Sequence, residues 1–226
     1  MLITFDDIPF SIDTNEVLKK LGLAEFFFEE IDVLVQRTNR EGRPKAVVRR
    51  LSVGAGDETK VEIGGAVISS RVVASLVGKN EEAFAYVATC GVELEGIMNE
   101  TADPVEKMWQ AQINQTVLRH AQNFAIEQLE KNYGASSLCS VNPGSIPDWP
   151  LSQQPMLFGL IGDVTAHTGV ILNESFLMIP TKSLSGIWFS RRDKFENCQV
   201  CKREDCMGRR SAFNKKLYDE LFPMGA

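Results

Sequence analysis

The chain has 226 residues, of which 44% are hydrophobic, enough to bury a core as one large domain or two small ones. A net charge of −6 and a pI near 5.1 argue against a general nucleic-acid binder, and no run of 18 apolar residues predicts a membrane-spanning helix. The first residues, Met-Leu-Ile-Thr-Phe-Asp-Asp, lack the basic and apolar regions of a secretory signal, so we expect a cytoplasmic protein.

The first part of the chain predicts helices and strands in mixed order. Apolar residues at helical spacing predict helices over 14–21, 24–37 and 92–98, and a short helix between a cap at Ser69 or Ser70 and Gly78. Runs of β-branched and apolar residues predict strands over 45–53, 61–67 and 83–90, the second of them broken by a turn at Gly64-Gly65.

The longest predicted helix begins at Asp103 and ends at Gly134. Asp103 is the expected N-cap, Pro104 suits the first helical position, and Glu106 predicts a capping box. An apolar stripe at i+4 spacing continues to the end, which predicts a helix about 40 Å long.

After Gly134 turn residues dominate over 138–150, which predicts a loop. A helix over 152–162, three short strands over 169–172, 177–179 and 186–190, and a last helix capped by Ser211 follow. Because helices and strands mix without strict βαβ alternation, the pattern favours an α+β fold over a doubly wound sheet.

Three of the five cysteines lie within nine residues of each other, at Cys198, Cys201 and Cys206. Thiolates spaced in this way on a polar loop are able to converge on one soft metal. Basic neighbours favour the thiolate, which is the form that binds metal: Lys202, Arg203, Arg209 and Arg210.

Three close cysteines with a distant fourth are a common iron–sulfur arrangement, so we predict an iron–sulfur cluster, with structural zinc as the alternative. Reduced thiols or a partial disulfide are a further alternative. The candidates for the fourth ligand are Cys139, Cys90, and a ligand from a partner or from solvent. We favour Cys139 over Cys90, since Cys90 ends a predicted buried strand and buried cysteines usually pack without reacting.

Three stretches together resemble the activation domain of cobalamin-dependent methionine synthase. They are the segments 142–151 (NPGSIPDWPL), 154–160 (QPMLFGL) and 177–189 (LMIPTKSLSGIWF). The resemblance is specific over roughly 135–192 and weaker upstream. The cysteine tail is not part of that enzyme's domain and is similar to the tail of stand-alone relatives in anaerobic bacteria.

The resemblance implies mixed helices around a mainly antiparallel twisted sheet, with an activation-domain-like unit over 1–192 and a cysteine-rich extension packed on it over 193–226. It implies reductive activation or repair of a corrinoid methyl-transfer protein, which supplies the corrinoid and is the expected partner. A [4Fe–4S] cluster reaches the low potential that Co(II) reduction requires, and would take its electron from a low-potential donor. The alternative is a non-catalytic adaptor that docks on a corrinoid protein and carries zinc. The residues identify no catalytic side chain.

The family holds S-adenosylmethionine with an Arg-x-x-x-Gly-Tyr motif in this loop. Here Gly144 matches the glycine, but Ser140 and Ser145 stand where the arginine and tyrosine would be. An arginine binds a carboxylate through two charge-assisted contacts, so we expect weak or no binding of S-adenosylmethionine. The residues predicted to contact a ligand or the partner are Asn142, Gly144, Ser145, Trp149, Lys182, Ser183 and Ser185.

Overall fold

A computed structural model describes residues 1–206 and 209–222; the rest of the predicted 193–226 extension lies outside the described residues. The described strands are β1 Leu2–Phe5, β2 Lys45–Gly56, β3 Lys60–Ile63, β4 Ala66–Ser69, β5 Glu82–Thr89, β6 Leu138–Val141, β7 Ile171–Leu172, β8 Met178–Ile179 and β9 Ser183–Ser190. Seven of them form one sheet in the order β4-β3-β2-β5-β9-β6, with β1 paired to β2, and every pairing is antiparallel. Strands β7 and β8 form a separate hairpin.

The described α-helices are α1 Thr14–Leu21, α2 Phe28–Glu41, α3 Arg71–Val77, α4 Val92–Glu100, α5 Pro104–Asn132, α6 Gln154–Ile161, α7 Val164–Thr168 and α8 Lys215–Leu221. The 29 residues of α5 span about 43 Å. Asp103 caps α5 and Ser70 caps α3, as their sequences predict.

The sheet has a separate hydrophobic core on each face, because successive side chains of a strand point to opposite sides. Phe84, Tyr86 and Ala88 of β5 face the core that α1, α2, α4 and α5 cover. Ala83, Ala85 and Val87 belong to the other core, which α3, α6 and α7 cover. The predicted α+β fold around a mainly antiparallel sheet is therefore confirmed.

Several local predictions are wrong. Glu106 does not complete a capping box, because its carboxylate accepts a hydrogen bond from Thr101 instead. Asn214 rather than Ser211 caps the last helix, accepting from the Leu217 N–H at 3.1 Å. The predicted loop over 138–150 contains a strand, β6, because Leu138–Val141 pairs with the end of β9.

No helix among the described residues is both long and apolar enough to cross a membrane.

Candidate functional site

A groove of about 280 Å³ lies where the loop after β6, helix α6 and the start of β9 meet. We call it the groove; its lining residues are Pro143, Leu151, Gln154, Leu177, Met178, Thr181, Ser183, Leu184 and Ser185. The three sequence stretches that carry the family resemblance thus form one site. Its lining is mostly apolar and also contains Ser, Thr and Gln side chains. None of these lining residues is charged.

The loop that forms one wall is held by its own main chain. The Gly144 N–H donates to the Trp149 carbonyl at 2.7 Å, and the Ser145 N–H donates to the Asn142 carbonyl at 3.1 Å. Gly144 has φ +76°, and a Cβ there would clash with Leu151. Only glycine therefore fits this point of the loop without strain.

Two loop residues stabilise the wall from within. Trp149 is fully buried, and its indole N–H donates to Gln153 at 3.2 Å. The Asp148 carboxylate accepts from the Ser70 hydroxyl at 2.9 Å and from the Val72 N–H at 3.3 Å, so it braces the N-terminus of α3. These contacts give both residues a structural role.

A buried hydrogen-bond network centred on Asn142 lies beneath the loop. The Asn142 amide donates to the Ser185 carbonyl at 2.7 Å and to the Tyr86 hydroxyl at 2.8 Å. Its oxygen accepts from Ser140 at 3.0 Å and from Asn197 at 2.6 Å. Burial raises the pKa of the Tyr86 phenol, so its hydroxyl stays protonated as part of this network.

Glycine at position 186 makes room for this network. A Cβ on Gly186 would collide with the Asn142 amide and with the Val141 carbonyl. Ser140 belongs to the same network, because its hydroxyl lies 2.8 Å from the Tyr86 hydroxyl. Ser140 does not line the groove. The position that carries the family's arginine therefore serves the network in this chain.

The predicted contact residues divide by exposure. Gly144 and Ser145 are exposed and Lys182 is partly exposed, whereas Asn142 and Trp149 are buried. Asn142 and Trp149 therefore support the exposed loop from beneath.

Ser183 and Ser185 line the groove. The Ser185 hydroxyl is hydrogen-bonded to Gln154, and the Ser183 hydroxyl donates to the Pro180 carbonyl at 2.8 Å.

Sequence reasoning missed the apolar rim of the groove. The β7–β8 hairpin exposes four large apolar side chains, which we call the apolar rim: Ile171, Phe176, Leu177 and Ile179. Gln154 fixes the hairpin by donating to the Phe176 carbonyl at 2.8 Å. The sequence predicts two short strands here, over 169–172 and 177–179, and it does not show which of their side chains stay exposed.

Glu95 holds the other end of this rim. Its carboxylate accepts from the Thr181 N–H at 3.0 Å and from the Thr181 hydroxyl at 2.9 Å. Thr181 lines the groove, so α4 fixes the groove's edge.

We call residues 195–206 and 209–211 the cysteine segment. Phe195 and Val200 bury their side chains in the same core as α3 and α6, while Cys198, Cys201 and Cys206 stay partly exposed. The Arg209 guanidinium donates to the carbonyls of Cys198 and Cys201, both at 3.1 Å. The main-chain N–H of Arg209 donates to the Cys206 carbonyl at 3.0 Å. One arginine therefore shapes the main chain around all three cysteines.

Cys139 and Cys90 lie on opposite faces of the sheet. Cys139 belongs to the core that receives Phe195 and Val200, and its sulfur accepts from the Phe195 N–H at 3.2 Å. Cys90 belongs to the other core. Burial, together with the nearby Glu95 carboxylate, raises the pKa of the Cys90 thiol to about 12, so this thiol stays neutral at ordinary pH.

Among residues 1–206 and 209–222, no group of three or more Cys, His, Asp or Glu side chains is arranged to hold a metal ion. The chemistry of the donors nevertheless suits a thiolate-bound metal. The three clustered thiols are free and partly exposed, and the Arg210 N–H points at the Cys198 sulfur at 3.5 Å. Such N–H donors stabilise a charged sulfur. The metal site stays a prediction.

The sequence matches no protein-family model and no curated protein. Among solved structures, the fold is similar to that of the MetH reactivation domain bound to AdoHcy, with a TM-score of 0.63 and 17% sequence identity. The similarity covers 87% of this chain and 80% of that chain. The chain therefore has the fold that the sequence resemblance implies.

Proposed function

We propose that this chain activates or repairs a corrinoid methyl-transfer protein by reduction. The observation that carries the proposal is the fold similarity to a protein whose name describes reactivation, over 87% of this chain. In the family that the sequence resembles, this domain caps a corrinoid-binding domain so that oxidised cobalamin is reduced and remethylated. We therefore propose a corrinoid-binding methyl-transfer protein as the partner on which this chain acts.

The groove and its apolar rim form the proposed contact for that partner. Exposed apolar side chains clustered beside a concave, uncharged lining are typical of a binding surface. The rim is anchored to α6 through Gln154 and to α4 through Glu95, so it is presented in a fixed position. Encounters between separate redox proteins usually use modest interfaces, which a surface of this kind provides.

We further propose that Cys198, Cys201, Cys206 and Cys139 hold an iron–sulfur cluster, with [4Fe–4S] the expected type. Such a cluster, when bound, supplies an electron at a potential low enough for Co(II). Arg209 shapes the loop, the Arg210 and Phe195 N–H groups face the sulfurs of Cys198 and Cys139, and the partial exposure of the three clustered thiols leaves them open to a partner. Free thiols agree with a reducing, cytoplasmic setting.

The donor proposed for this electron is a small acidic protein. The stretch 191–216 carries nine basic and four acidic residues, whereas the whole chain has a net charge of −6. Among the described residues, four exposed cations in this stretch have no carboxylate within 4 Å: Arg192, Lys194, Lys202 and Arg203. A basic surface beside the cysteines attracts an acidic donor from solution.

A zinc-stabilised adaptor is the second candidate. It is favoured by the way the cysteine segment packs, since Phe195 and Val200 are buried in the same core as Cys139 and Val141 of β6. A structural zinc site would serve the same packing without electron transfer.

A visible spectrum with metal analysis of anaerobically purified protein separates the two candidates. The activator predicts a brown protein with broad absorbance near ~400 nm and stoichiometric iron. Colourless protein with stoichiometric zinc supports the adaptor. A pull-down against purified corrinoid proteins then tests the docking that both candidates share, and failure to bind any of them contradicts both.

A further inference from the structure

The cysteine segment is attached to the protein by residues that alternate with its cysteines. Phe195, Asn197 and Val200 are buried, whereas Cys198 and Cys201 are partly exposed. Phe195 and Val200 are apolar, so the hydrophobic effect accounts for their burial. Asn197 is only 6% exposed although its side chain is polar, so it requires a different explanation.

Asn197 connects the cysteine segment to the groove. Its amide donates to the Asn142 oxygen at 2.6 Å, and the Asn142 amide donates in turn to the Ser185 carbonyl at 2.7 Å. Ser185 lines the groove, and Asn197 directly precedes Cys198. Two buried side chains therefore separate the first cysteine from the groove lining.

The segment's other attachments do not lead to the groove. The Phe195 N–H reaches Cys139 on β6, the Asn214 N–H reaches Gln199, and Arg209 contacts carbonyls of the segment itself. Within the described part of the chain, one side-chain hydrogen bond, between Asn142 and Asn197, joins the cysteine segment to the hydrogen-bond network centred on Asn142.

Packing alone does not account for an asparagine at this position. The Asn197 oxygen is buried and has no hydrogen-bond partner among the described residues. A buried acceptor without a partner lowers the free energy of unfolding, whereas an apolar side chain of similar size would not lower it in this way. The compensating feature is the amide N–H, which makes the link to Asn142.

We infer that Asn197 is a positioning residue that couples metal binding at Cys198, Cys201 and Cys206 to the groove. The inference rests on the proposed metal site. Ligation fixes the main chain around Cys198, the fixed Asn197 amide holds Asn142, and Asn142 holds Ser185. Coupling of this kind is reciprocal, so a groove occupant also changes metal affinity, typically by 5- to 150-fold.

The test is hydrogen exchange of the metal-free full chain, before and after addition of Zn²⁺ under reducing conditions. In the wild type, Zn²⁺ should slow amide exchange in 142–145 and 183–185 at least fivefold, because local opening there becomes rarer. In Asn197→Leu, which has a similar size but no N–H donor, Zn²⁺ should still bind and the groove amides should not respond. Co²⁺ binding, followed by its thiolate absorption, reports metal occupancy separately.

Val200→Ala is the matched control, because it weakens packing of the same segment and leaves the Asn142–Asn197 hydrogen bond intact. It should preserve the response of the groove amides to Zn²⁺. The inference is overturned if Asn197→Leu responds like the wild type, if Val200→Ala loses the response equally, or if the wild type binds neither Zn²⁺ nor Co²⁺. None of these outcomes requires a corrinoid protein, so they leave the proposed docking to be judged by its own pull-down.

Discussion

The main-chain N–H of Phe195 donates a hydrogen bond to the sulfur of Cys139 at 3.2 Å. This contact brings the cysteine of β6 to the start of the segment that carries the other three cysteines, on the same face of the sheet. Cys139 is buried in β6, and Cys90 is also buried, so this contact and not exposure is what favours Cys139 as the proposed fourth ligand.

Replacing Cys139 with Ala should remove most of the bound iron and bleach the absorbance near ~400 nm, because a cluster with three protein thiolates is less tightly held. Iron analysis and the visible spectrum of anaerobic protein measure this. Cys90→Ala is the matched control, since Cys90 is buried in the opposite core, and it should keep the cluster. Full cluster content in Cys139→Ala would mean that the fourth ligand lies elsewhere.

Local sequence signals predicted the parts of the fold that depend on local interactions. The caps at Ser70 and Asp103, the turn at Gly64-Gly65 and the long helix α5 follow from turn and capping chemistry within a few residues. Strand β6 was not predictable in this way. Its four residues lie among turn formers, and they are extended because β9, more than 40 residues later, offers a partner strand.

The site was predicted in part for the same reason. The resemblance brought the loop and the start of β9 together, and Ser183 and Ser185 do line the groove. The bond between Asn142 and Asn197 spans 55 residues, and no local pattern marks either residue as half of a pair. The apolar rim was missed because exposure of an apolar run depends on tertiary packing.

S-adenosylmethionine should bind weakly or not at all. None of the described residues that line the groove is charged, and the Ser140 hydroxyl is hydrogen-bonded to that of Tyr86. Loss of a charge-assisted bidentate contact typically costs a few kcal/mol, or roughly 100-fold in affinity. Isothermal titration calorimetry on the isolated chain measures this, and a low-micromolar dissociation constant would favour the S-adenosylmethionine-dependent mechanism of the family that the sequence resembles.

Gly144→Ala should destabilise the protein more than Gly134→Ala. Both glycines have φ near +75°, so alanine costs roughly 1–2 kcal/mol of unfolding free energy at either position. A Cβ at Gly134 meets no atom within 4 Å, whereas one at Gly144 displaces the end of the Leu151 side chain from its rotamer, which adds about 0.5–1.5 kcal/mol. Chemical denaturation measures both values. Equal losses would show that the loop is not packed against Leu151 as described.

The double variant Arg192→Glu, Arg203→Glu should slow electron transfer from a reduced acidic ferredoxin. Charge reversal removes the attraction that steers the donor, so we expect a roughly tenfold slower second-order rate at low salt and a smaller difference at high salt. Stopped-flow absorbance measures the rate. The double reversal Lys60→Glu, Lys79→Glu is the control, because it changes the net charge equally at two exposed cations outside this stretch. An equal effect from this control would indicate net charge rather than a docking surface.

We expect this chain to speed reduction of a corrinoid protein, which is measured as the rate of cobalt reduction. A purified corrinoid methyl-transfer protein in the Co(II) state is mixed anaerobically with reduced ferredoxin, and the cobalt spectrum is followed with and without the chain. Co(II) should disappear faster with the wild type, and a variant in which Cys198, Cys201 and Cys206 are serine should give no acceleration. A rate that is the same with and without the wild-type chain would contradict this expectation.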